Sequence, residues 1–375
     1  MKIGVVTFFR VANYGAMLQA YALWQYLAQR GHDVTFLSTE RSVAKNPTWF
    51  NVIKSRNFGN FKGKVQWKAQ YPMTEFAKTF PQTFLCRTID ELRLAASGLD
   101  VVIVGSDQMW NPLWCAKGHL DYVMLNFVED RTRRISYAVS FSVKDWPNDS
   151  TAEEAGRLLR KFASISVREK SGVALVKKLS GRDDAEWLLD PTMIHGADFY
   201  RTLLGDRVRG GTGEAFLFKY LLPWSDGPAE SIALDKVVNM IDGGVSVRDE
   251  KTLPYGGLGV LCRVLGVSSK IPVVDWIRNI SQARLVFTNS FHGTVFAILF
   301  HRPFISLLIR GRYSGMNERI VSLLDLVGLS SRAVYADDLG AIERAFTSPI
   351  DWTVVDSRIE QERARVASFF ERSGL

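Results

Sequence analysis

The stretch MKIGVVTFFRVANYGAMLQAYALWQYLAQRGHDVTFL, residues 1–37, decides the fold class. Ile3–Phe8 is a short, mostly apolar run, and Met17–Leu27 has apolar residues at helical spacing. Gly31 ends this helical pattern, and Val34–Leu37 is a second apolar run. The order strand, helix, strand predicts a parallel βαβ unit.

The same alternation continues along the chain. Short apolar runs predict further strands at residues 101–104, 135–139, 165–167, 187–189, 215–222, 284–288 and 304–308. Helical patterns separate the later runs, at residues 152–162, 170–179, 231–241, 293–300 and 318–326. Continuous apolar strands that alternate with helices predict doubly wound α/β sheets, covered by helices on both faces.

One break in this alternation predicts a domain boundary. Pro191 follows the strand predicted at residues 187–189, and proline does not suit a central strand. We therefore predict two α/β domains, residues 1–191 and 192–355, with a cleft between them. The remaining residues, 356–375, are amphipathic, so we expect a C-terminal helix that packs back on the first domain.

The composition excludes several classes of protein. Hydrophobic residues are 47% and charged residues 23% of the chain, which is typical of a globular protein and not of a disordered one. No apolar run reaches the roughly 18 residues of a membrane helix, and the first ten residues are too short for a signal peptide, so we expect a cytoplasmic protein. Cys86, Cys115 and Cys262 are few and far apart, which indicates reduced thiols and neither a disulfide framework nor a metal site.

The net charge of +8 suits several kinds of partner. Nucleic acid is excluded, because no run of five basic residues and no nucleic-acid-binding signature occurs. A basic and aromatic insertion at about residues 45–80 is the most basic part of the chain. We interpret it as a surface that meets a sugar acceptor or the inner face of a membrane, with a lid packed on the core as the alternative.

Polar residues that directly follow the predicted strands are the candidate site, because ligands of open α/β sheets bind beyond the carboxyl ends of the strands. The first strand is followed by Asn13, Tyr14 and Gly15, whose backbone amides either hold an anion or only start a helix. The strand at residues 101–104 is followed by Gly105, Ser106, Asp107, Gln108 and Trp110. Here Asp107 offers a carboxylate and Trp110 a flat face for a sugar ring, and a capped helix is the alternative.

Two further strand ends carry the residues with the clearest chemistry. Arg168 follows the strand at residues 165–167, and its planar guanidinium suits a carboxylate or a phosphate. A structural ion pair of Arg168 with Glu169 or Asp190 is an equal alternative. The strand at residues 284–288 is followed by Asn289, Ser290, Phe291, His292 and Gly293. His292 is the best candidate for an acid or base, against a purely structural histidine.

Six segments, taken in order, resemble the polysaccharide pyruvyl transferase family. They are NYGAMLQAYAL (Asn13–Leu23), VVIVGSDQMWNP (Val101–Pro112), ISYAVSF (Ile135–Phe141), SVREKSG (Ser166–Gly172), LDPTM (Leu189–Met193) and TNSFHGTVFAI (Thr288–Ile298). The resemblance implies two Rossmann-like domains in a glycosyltransferase-B-type arrangement. It also implies transfer of a pyruvyl group from phosphoenolpyruvate to two hydroxyls of one sugar, in a surface polysaccharide or its lipid-linked precursor. The products are a cyclic ketal and phosphate, and no cofactor is needed.

The resemblance also implies roles for the residues at the strand ends. His292 corresponds to a histidine that acts as acid or base, and Arg168 to an arginine that holds the donor. We assign Asp107 to the acceptor hydroxyl. The further acceptor-binding residues that we predict are Asn13, Tyr14, Gly15, Gly105, Ser106, Gln108 and Trp110. The further donor-binding residues are Asn289, Ser290, Gly293, Arg310 and Arg312.

The chain departs from the family pattern at one position. Many members have an arginine two residues before the histidine, where this chain has Ser290. One donor-binding cation is therefore missing locally. Arg310, Arg312 and Arg319 all follow the strand at residues 304–308 and could replace the missing cation, and our hypothesis is that Arg310 or Arg312 does so.

Two other functions fit parts of the sequence. A nucleotide-sugar-dependent glycosyltransferase shares the implied architecture, although no clear site for a base and ribose is evident in the second domain. A non-catalytic carbohydrate-binding protein would use Trp110, Trp114 and the aromatic insertion.

Overall fold

The computed structural model describes residues 1–11, 13–39, 75–112, 120–147, 149–205, 215–222, 227–250 and 271–375. Residues 45–74 of the predicted insertion lie outside the described residues, as do Trp114, Cys115 and Cys262. In the described ranges, no helix is both long enough and apolar enough to cross a membrane.

The first sheet has six parallel strands in the order β2-β1-β3-β4-β5-β6. They are β1 (Lys2–Val6), β2 (Asp33–Phe36), β3 (Val101–Val104), β4 (Arg133–Val139), β5 (Ser164–Val167) and β6 (Glu186–Trp187). The helices of this half are α1 (Tyr14–Gln29), α2 (Ile89–Ala96), α3 (Leu120–Val123), α4 (Asp149–Leu159) and α5 (Lys170–Ser180). The central strand β3, with the sequence VVIV, is buried along its whole length, as a strand covered on both faces must be.

The second sheet has five parallel strands in the order β11-β10-β9-β7-β8. They are β7 (Phe216–Tyr220), β8 (Ser246–Asp249), β9 (Leu285–Thr288), β10 (Phe304–Leu308) and β11 (Ala333–Tyr335). The helices of this half are α6 (Ala197–Leu204), α7 (Pro228–Asn239), α8 (Val273–Gln282), α9 (Phe291–Leu299), α10 (Asn317–Val327) and α11 (Leu339–Thr347), followed by α12 (Trp352–Arg372). The predicted class, two parallel-sheet α/β domains, is confirmed. The predicted boundary after residue 191 lies between the last strand of one sheet and the first strand of the other.

Tyr14, the first residue of α1, joins the two domains. Its ring stacks on Trp276 of α8, with ring centroids 5.0 Å apart and planes 10° apart. Its hydroxyl donates to Glu250 Oε1 at 2.6 Å and contacts the carbonyl oxygen of Ile271 at 3.1 Å. Since Tyr14 is fully buried in this contact, the prediction that it binds the acceptor is not supported, and we assign it to the domain interface instead.

We expect Tyr14→Phe to lower the free energy of unfolding by about 1–3 kcal/mol, because a buried hydrogen bond to a carboxylate is lost. Urea denaturation measures this change through a lower transition midpoint at an unchanged slope. Tyr26→Phe, in the same helix, is the matched control. The Tyr26 hydroxyl is buried and has no hydrogen-bond partner in the described part of the chain, so its removal should leave stability nearly unchanged. Equal effects of the two variants would contradict the interface role of Tyr14.

The last helix, α12, returns to the first domain. Phe370 packs on Tyr26 and Tyr137, with ring centroids 5.1 Å and 4.7 Å apart. We predicted a C-terminal unit that begins at residue 356, but α12 begins at Trp352. The reason is that the carboxylate of Asp351 caps the helix, accepting from the backbone amides of the second and third helical residues.

Candidate active site

The candidate site lies where the two domains contact each other, beyond the strand ends of both sheets. The strand order reverses between β1 and β3 in the first sheet and between β7 and β9 in the second. Ligands of open α/β sheets bind beyond the strand ends at such points. Gly15 follows β1, Asp107 follows β3 and His292 follows β9. The His292 ring lies directly against Gly15, which brings the two reversal points together.

Asp190 is the centre of the polar network at this place. Its Oδ2 accepts from Arg168 Nη1 at 2.6 Å and from Ser106 Oγ at 2.8 Å. Its Oδ1 accepts from the backbone amide of Thr192 at 3.0 Å and from the Thr192 hydroxyl at 2.6 Å. The ion pair between Arg168 and Asp190, which the sequence offers as an alternative to donor binding by Arg168, is therefore present. The binding of the donor by Arg168 stays a prediction.

The charged groups of this network shift one another's pKa values toward the ionised forms. Burial alone would raise the pKa of Asp190, but the neighbouring His292, then Arg168 and the Thr192 hydroxyl, outweigh burial and hold that pKa below its usual range. Burial would likewise lower the pKa of Arg168, but the carboxylates around it raise that pKa above its ordinary value. Asp190 is therefore ionised and Arg168 is charged, although both are buried.

His292 lies in the first turn of α9, which Ser290 caps by accepting from the Gly293 amide at 3.3 Å. The Nε2 atom of His292 is 3.6 Å from Asp190 Oδ2. This nitrogen is buried and makes no hydrogen bond to any described residue. An imidazole nitrogen without a hydrogen bond, held beside a carboxylate, is suited to exchange a proton with a bound substrate.

We expect Gly15→Ala to abolish most activity while the protein stays folded. An added Cβ would stand 1.9 Å from His292 Nδ1, so the ring would have to leave its place beside Asp190. Steady-state kinetics should show a large fall in kcat, and circular dichroism an unchanged fold. Gly340→Ala is the matched control, because Gly340 is also the second residue of a helix and an added Cβ there meets only side-chain ends at 3.3 Å or more. A fully active Gly15→Ala enzyme would show that His292 does not need this position.

Asp107 combines a reachable carboxylate with an unusual backbone. Its φ is 73°, in the left-handed region that residues other than glycine seldom adopt. Ala138 and Ser142, at the end of β4, are left-handed as well, with φ of 48° and 54°. The Asp107 Oδ1 atom lies 3.6 Å from Arg168 Nη2, and the side chain is 13% exposed. Backbone strain of this kind concentrates at functional sites, which supports the prediction that Asp107 takes part.

A second buried carboxyl, Glu169, lies next to Arg168. Its Oε1 accepts from the Ser142 amide at 3.0 Å and from the Ser140 hydroxyl. Burial raises the pKa of Glu169 above its ordinary value, although Arg168 and these hydrogen bonds act in the opposite direction. Arg319, from α10 of the second domain, is also buried at this place.

Trp110 is not available to a sugar, which corrects our prediction. The indole is fully buried, donates to the carbonyl oxygen of Val123 at 2.9 Å, and packs on Phe141 and Phe162. The physical reason is that the chain turns back after β3, with the Trp110 amide donating to the Ser140 carbonyl oxygen at 3.2 Å. This turn carries the ring into the apolar core and away from the cleft.

Several other predicted residues have structural contacts of their own. Asn13 caps α1 by accepting from the Ala16 amide at 3.1 Å, and Asn289 holds the end of β7 by accepting from the Leu222 amide at 2.6 Å. The Gln108 side chain accepts from Asn111 Nδ2 at 2.8 Å. An added Cβ on Gly105 would meet Thr7 at 3.2 Å, so this glycine allows close packing below the site. Their contacts with substrate stay predictions.

The structure does not bring Arg310 to the network around Asp190. Arg310 is about half exposed, pairs with Asp337 at 2.8 Å and lies over the Tyr335 ring at 4.0 Å. Tyr335 is the last residue of β11, and Asp337 follows it by two residues. Strand β11 is at the outer edge of the second sheet. The side chain of Arg312 lies outside the part of the chain that the structure describes.

The sequence predicts no catalytic or binding role for Asp190 or Glu169, and it offers Arg319 only as one of three arginines that could replace the missing donor-binding cation. Asp190 follows the segment of β6, so the rule of strand ends applies to it as well, but the sequence offers it only as an ion-pair partner of Arg168 beside the break at Pro191. Glu169 directly follows Arg168 and was considered only as its ion-pair partner. No signal in the sequence separates Arg319 from Arg310, because only the fold shows which arginine is buried.

The described residues contain no group of three or more histidine, cysteine, aspartate or glutamate side chains that could hold a metal ion. The polar atoms of the site are arranged around an arginine and a histidine, which suits an anionic ligand and proton transfer.

Solved structures with a similar fold cover nearly the whole chain. UDP-GlcNAc 2-epimerase from Methanocaldococcus jannaschii has a TM-score of 0.52 and 10% identity, covering 98% of this chain and 100% of that one. UDP-GlcNAc 2-epimerase from Neisseria meningitidis bound to UDP-GlcNAc has a TM-score of 0.50 and 7% identity, with coverage of 99% and 100%. An alpha-glucosyltransferase in complex with UDP and a 13-mer DNA has a TM-score of 0.50 and 10% identity, with coverage of 97% and 94%. At these identities the likeness shows the fold alone, which is the glycosyltransferase-B type.

A family model, unlike the solved structures, gives a result that is more specific than the fold. A comparison with curated proteins found no significant match. The family model of the polysaccharide pyruvyl transferases matches residues 13–309. This range includes Gly15, Asp107, Arg168, Asp190 and His292, the residues that the fold brings together. The chain belongs to the polysaccharide pyruvyl transferase family.

Proposed function

We propose that the protein transfers a pyruvyl group from phosphoenolpyruvate to two hydroxyls of a sugar in a surface polysaccharide or its lipid-linked precursor. The observation that carries the proposal is the contact across the domain boundary, where His292 Nε2 stands 3.6 Å from the carboxylate that also binds Arg168. A proton-exchanging group and a guanidinium thus share one buried site, in a member of this family.

The proposed reaction needs acid and base catalysis and no change of oxidation state. A proton adds to the CH2 carbon of the enol phosphate, which makes the adjacent carbon electrophilic. One sugar hydroxyl attacks this carbon and loses its proton, and the C–O bond to phosphate breaks. The second hydroxyl attacks the same carbon and loses its proton, which closes the cyclic ketal. Of the two hydroxyl protons, one balances the new methyl group and the other leaves with phosphate.

Each step has a candidate residue in the site. His292 supplies the proton to the CH2 carbon, because its Nε2 is buried and without a hydrogen bond to the described residues. Arg168 offers its guanidinium to the anionic donor. Asp107, the partly exposed carboxylate next to Arg168, holds or deprotonates an acceptor hydroxyl. Since the arginine neutralises the donor and no electron is transferred, the proposal includes no cofactor.

The acceptor is the least defined part of the proposal. A lipid-linked sugar presented at the inner face of the cytoplasmic membrane fits a transferase of polysaccharide assembly, and it places the enzyme in the cytoplasm. The basic insertion at about residues 45–80 is the proposed contact for such an acceptor.

The test is incubation of the protein with phosphoenolpyruvate and a panel of nitrophenyl and lipid-linked sugars. We expect release of inorganic phosphate and an acceptor mass increased by pyruvate less one water. Parallel reactions contain UDP-sugars in place of phosphoenolpyruvate. Release of UDP with no phosphate release from phosphoenolpyruvate would favour a nucleotide-sugar glycosyltransferase, and binding of sugars without turnover of any donor would favour a carbohydrate-binding protein.

A further inference from the structure

Arg319 lies on the side of α10 that faces the first domain. The Lys170 amide, at the start of α5, donates to Ser322 Oγ of α10 at 3.3 Å, and Lys144 Nζ pairs with Glu318 at 3.2 Å. Arg319 stands between these two contact points in the sequence of α10, and only 9% of its surface is exposed. The first turns of α10 thus press against the loops that follow β4 and β5, which contain Ser142 and Arg168.

Charged groups of both signs surround Arg319. Burial, followed by the like charge of Arg168, lowers the pKa of Arg319 to about 10. The carboxylates of Asp107, Glu169 and Asp190 act in the opposite direction. Two buried guanidinium groups, one from each domain, therefore belong to the two segments that the hydrogen bond between Lys170 and Ser322 joins. Such an arrangement is costly unless a negative group stands between or beside them.

The carboxylates at this place satisfy the hydrogen-bond donors of Arg168 only in part. Asp190 accepts a hydrogen bond from Arg168 Nη1. The Nε and Nη2 atoms of Arg168 are buried and make no hydrogen bond to the described residues. Asp107 Oδ1 remains 3.6 Å from Nη2, and the Oε1 atom of Glu169 accepts from Ser140 and Ser142. Two buried guanidinium donors thus have no hydrogen-bond acceptor in the described part of the chain, and an anion with several oxygens would supply one.

We propose that Arg168 and Arg319 form a two-guanidinium site, shared by the two domains, that binds the phosphate group of the donor. This inference rests on the proposed function. Arg319 then supplies the cation that is missing at Ser290, and it does so from outside residues 13–309, the range that the family model matches. Donor binding would also hold the two domains together, because each contributes one of the two cations.

The experiment measures the binding of inorganic phosphate and of phosphoenolpyruvate by calorimetry and by thermal denaturation. Arg319→Met should weaken both ligands by about 10- to 100-fold, as expected for the loss of charged hydrogen bonds. Without ligand, its melting temperature should stay equal or rise, because a buried and repelled charge has been removed. Arg319→Lys, which keeps the charge but not the planar fork, should fall between Met and the wild type. Arg93→Ala is the control for the loss of a positive charge, since Arg93 is exposed on α2.

The outcomes separate this inference from its rivals. If Arg319→Met lowers the melting temperature without ligand but binds phosphate like the wild type, Arg319 is only structural and the inference is wrong. If Arg310→Ala weakens phosphate binding and Arg319→Met does not, the missing cation is Arg310, one of the two that the sequence predicts, and the inference is wrong. If phosphate binds through Arg319 but phosphoenolpyruvate is never turned over, the anion site stands and the proposed function fails.

Discussion

His292→Ala should abolish turnover while it largely spares the binding of phosphoenolpyruvate. The imidazole is the only proton-exchanging group that the fold places beside the Arg168–Asp190 ion pair from the second domain, among the described residues. Loss of acid catalysis typically lowers kcat by about a hundredfold to ten-thousandfold. The charge of Arg168, to which we assign the donor, does not depend on His292, because Asp190, Asp107 and Glu169 all raise its pKa. Phosphate release measures kcat, and calorimetry measures donor affinity.

His301 provides the matched control for this variant. It lies at the opposite end of the second sheet, about half exposed, where it pairs with Asp356 at 2.9 Å and stacks on Trp352. Its φ is 52°, which asparagine tolerates well, so His301→Asn should keep full activity. Substantial activity in His292→Ala would remove this residue from the mechanism. A joint loss of donor affinity and kcat would assign it to binding instead.

Asp190→Asn is expected to destabilise the protein by about 3–5 kcal/mol, the range found when one partner of a buried ion pair is removed. The carboxylate accepts four hydrogen bonds, from Arg168, Ser106 and Thr192, and all its donors are buried. An asparagine amide cannot accept on both sides, and the charge of Arg168 would lose its partner. Chemical denaturation measures the change, and activity should be lost at the same time.

A double variant separates stability from chemistry at this pair. Arg168→Met with Asp190→Leu removes both buried charges, so most of the lost stability should return while activity stays absent. The pH dependence of the free energy of unfolding is a second test of the ion pair. The pKa of Asp190 is lower in the folded protein than its unfolded value of about 3.9, so its stabilisation is present above that pH and is lost on acidification. The double variant should lack this part of the acid sensitivity. A double variant as unstable as Asp190→Asn would contradict the ion-pair explanation.

The fold was predictable from short apolar runs because buried parallel strands need them. Val101–Val104 and Phe304–Leu308 were predicted with the bounds that the structure shows. The edge strand β8 was missed, since Ser246 and Val247 are exposed and form no apolar run. The short helix α6 was missed as well, because its eight residues are too few for a clear period.

The site was predictable only as far as strand ends determine it. Arg168 and His292 were found in this way, and the fold brings both to Asp190. The rule does not tell which way a side chain turns, which is why Trp110 was placed in the cleft although it lies in the core. The choice between Arg310 and Arg319 depends on the contact of α10 with the first domain, and a local pattern carries no information on such a contact.

The position of α12 has a consequence for how the protein folds. Phe370 fills a place in the first domain between Tyr26 and Tyr137, yet it follows the whole second domain in the chain. During synthesis the first domain therefore emerges with part of its core still open. This core is completed only after the second domain and α12 have left the ribosome. The two halves are thus expected to complete folding as one cooperative unit, so a fragment that ends before Trp352 should aggregate where the full chain stays in solution.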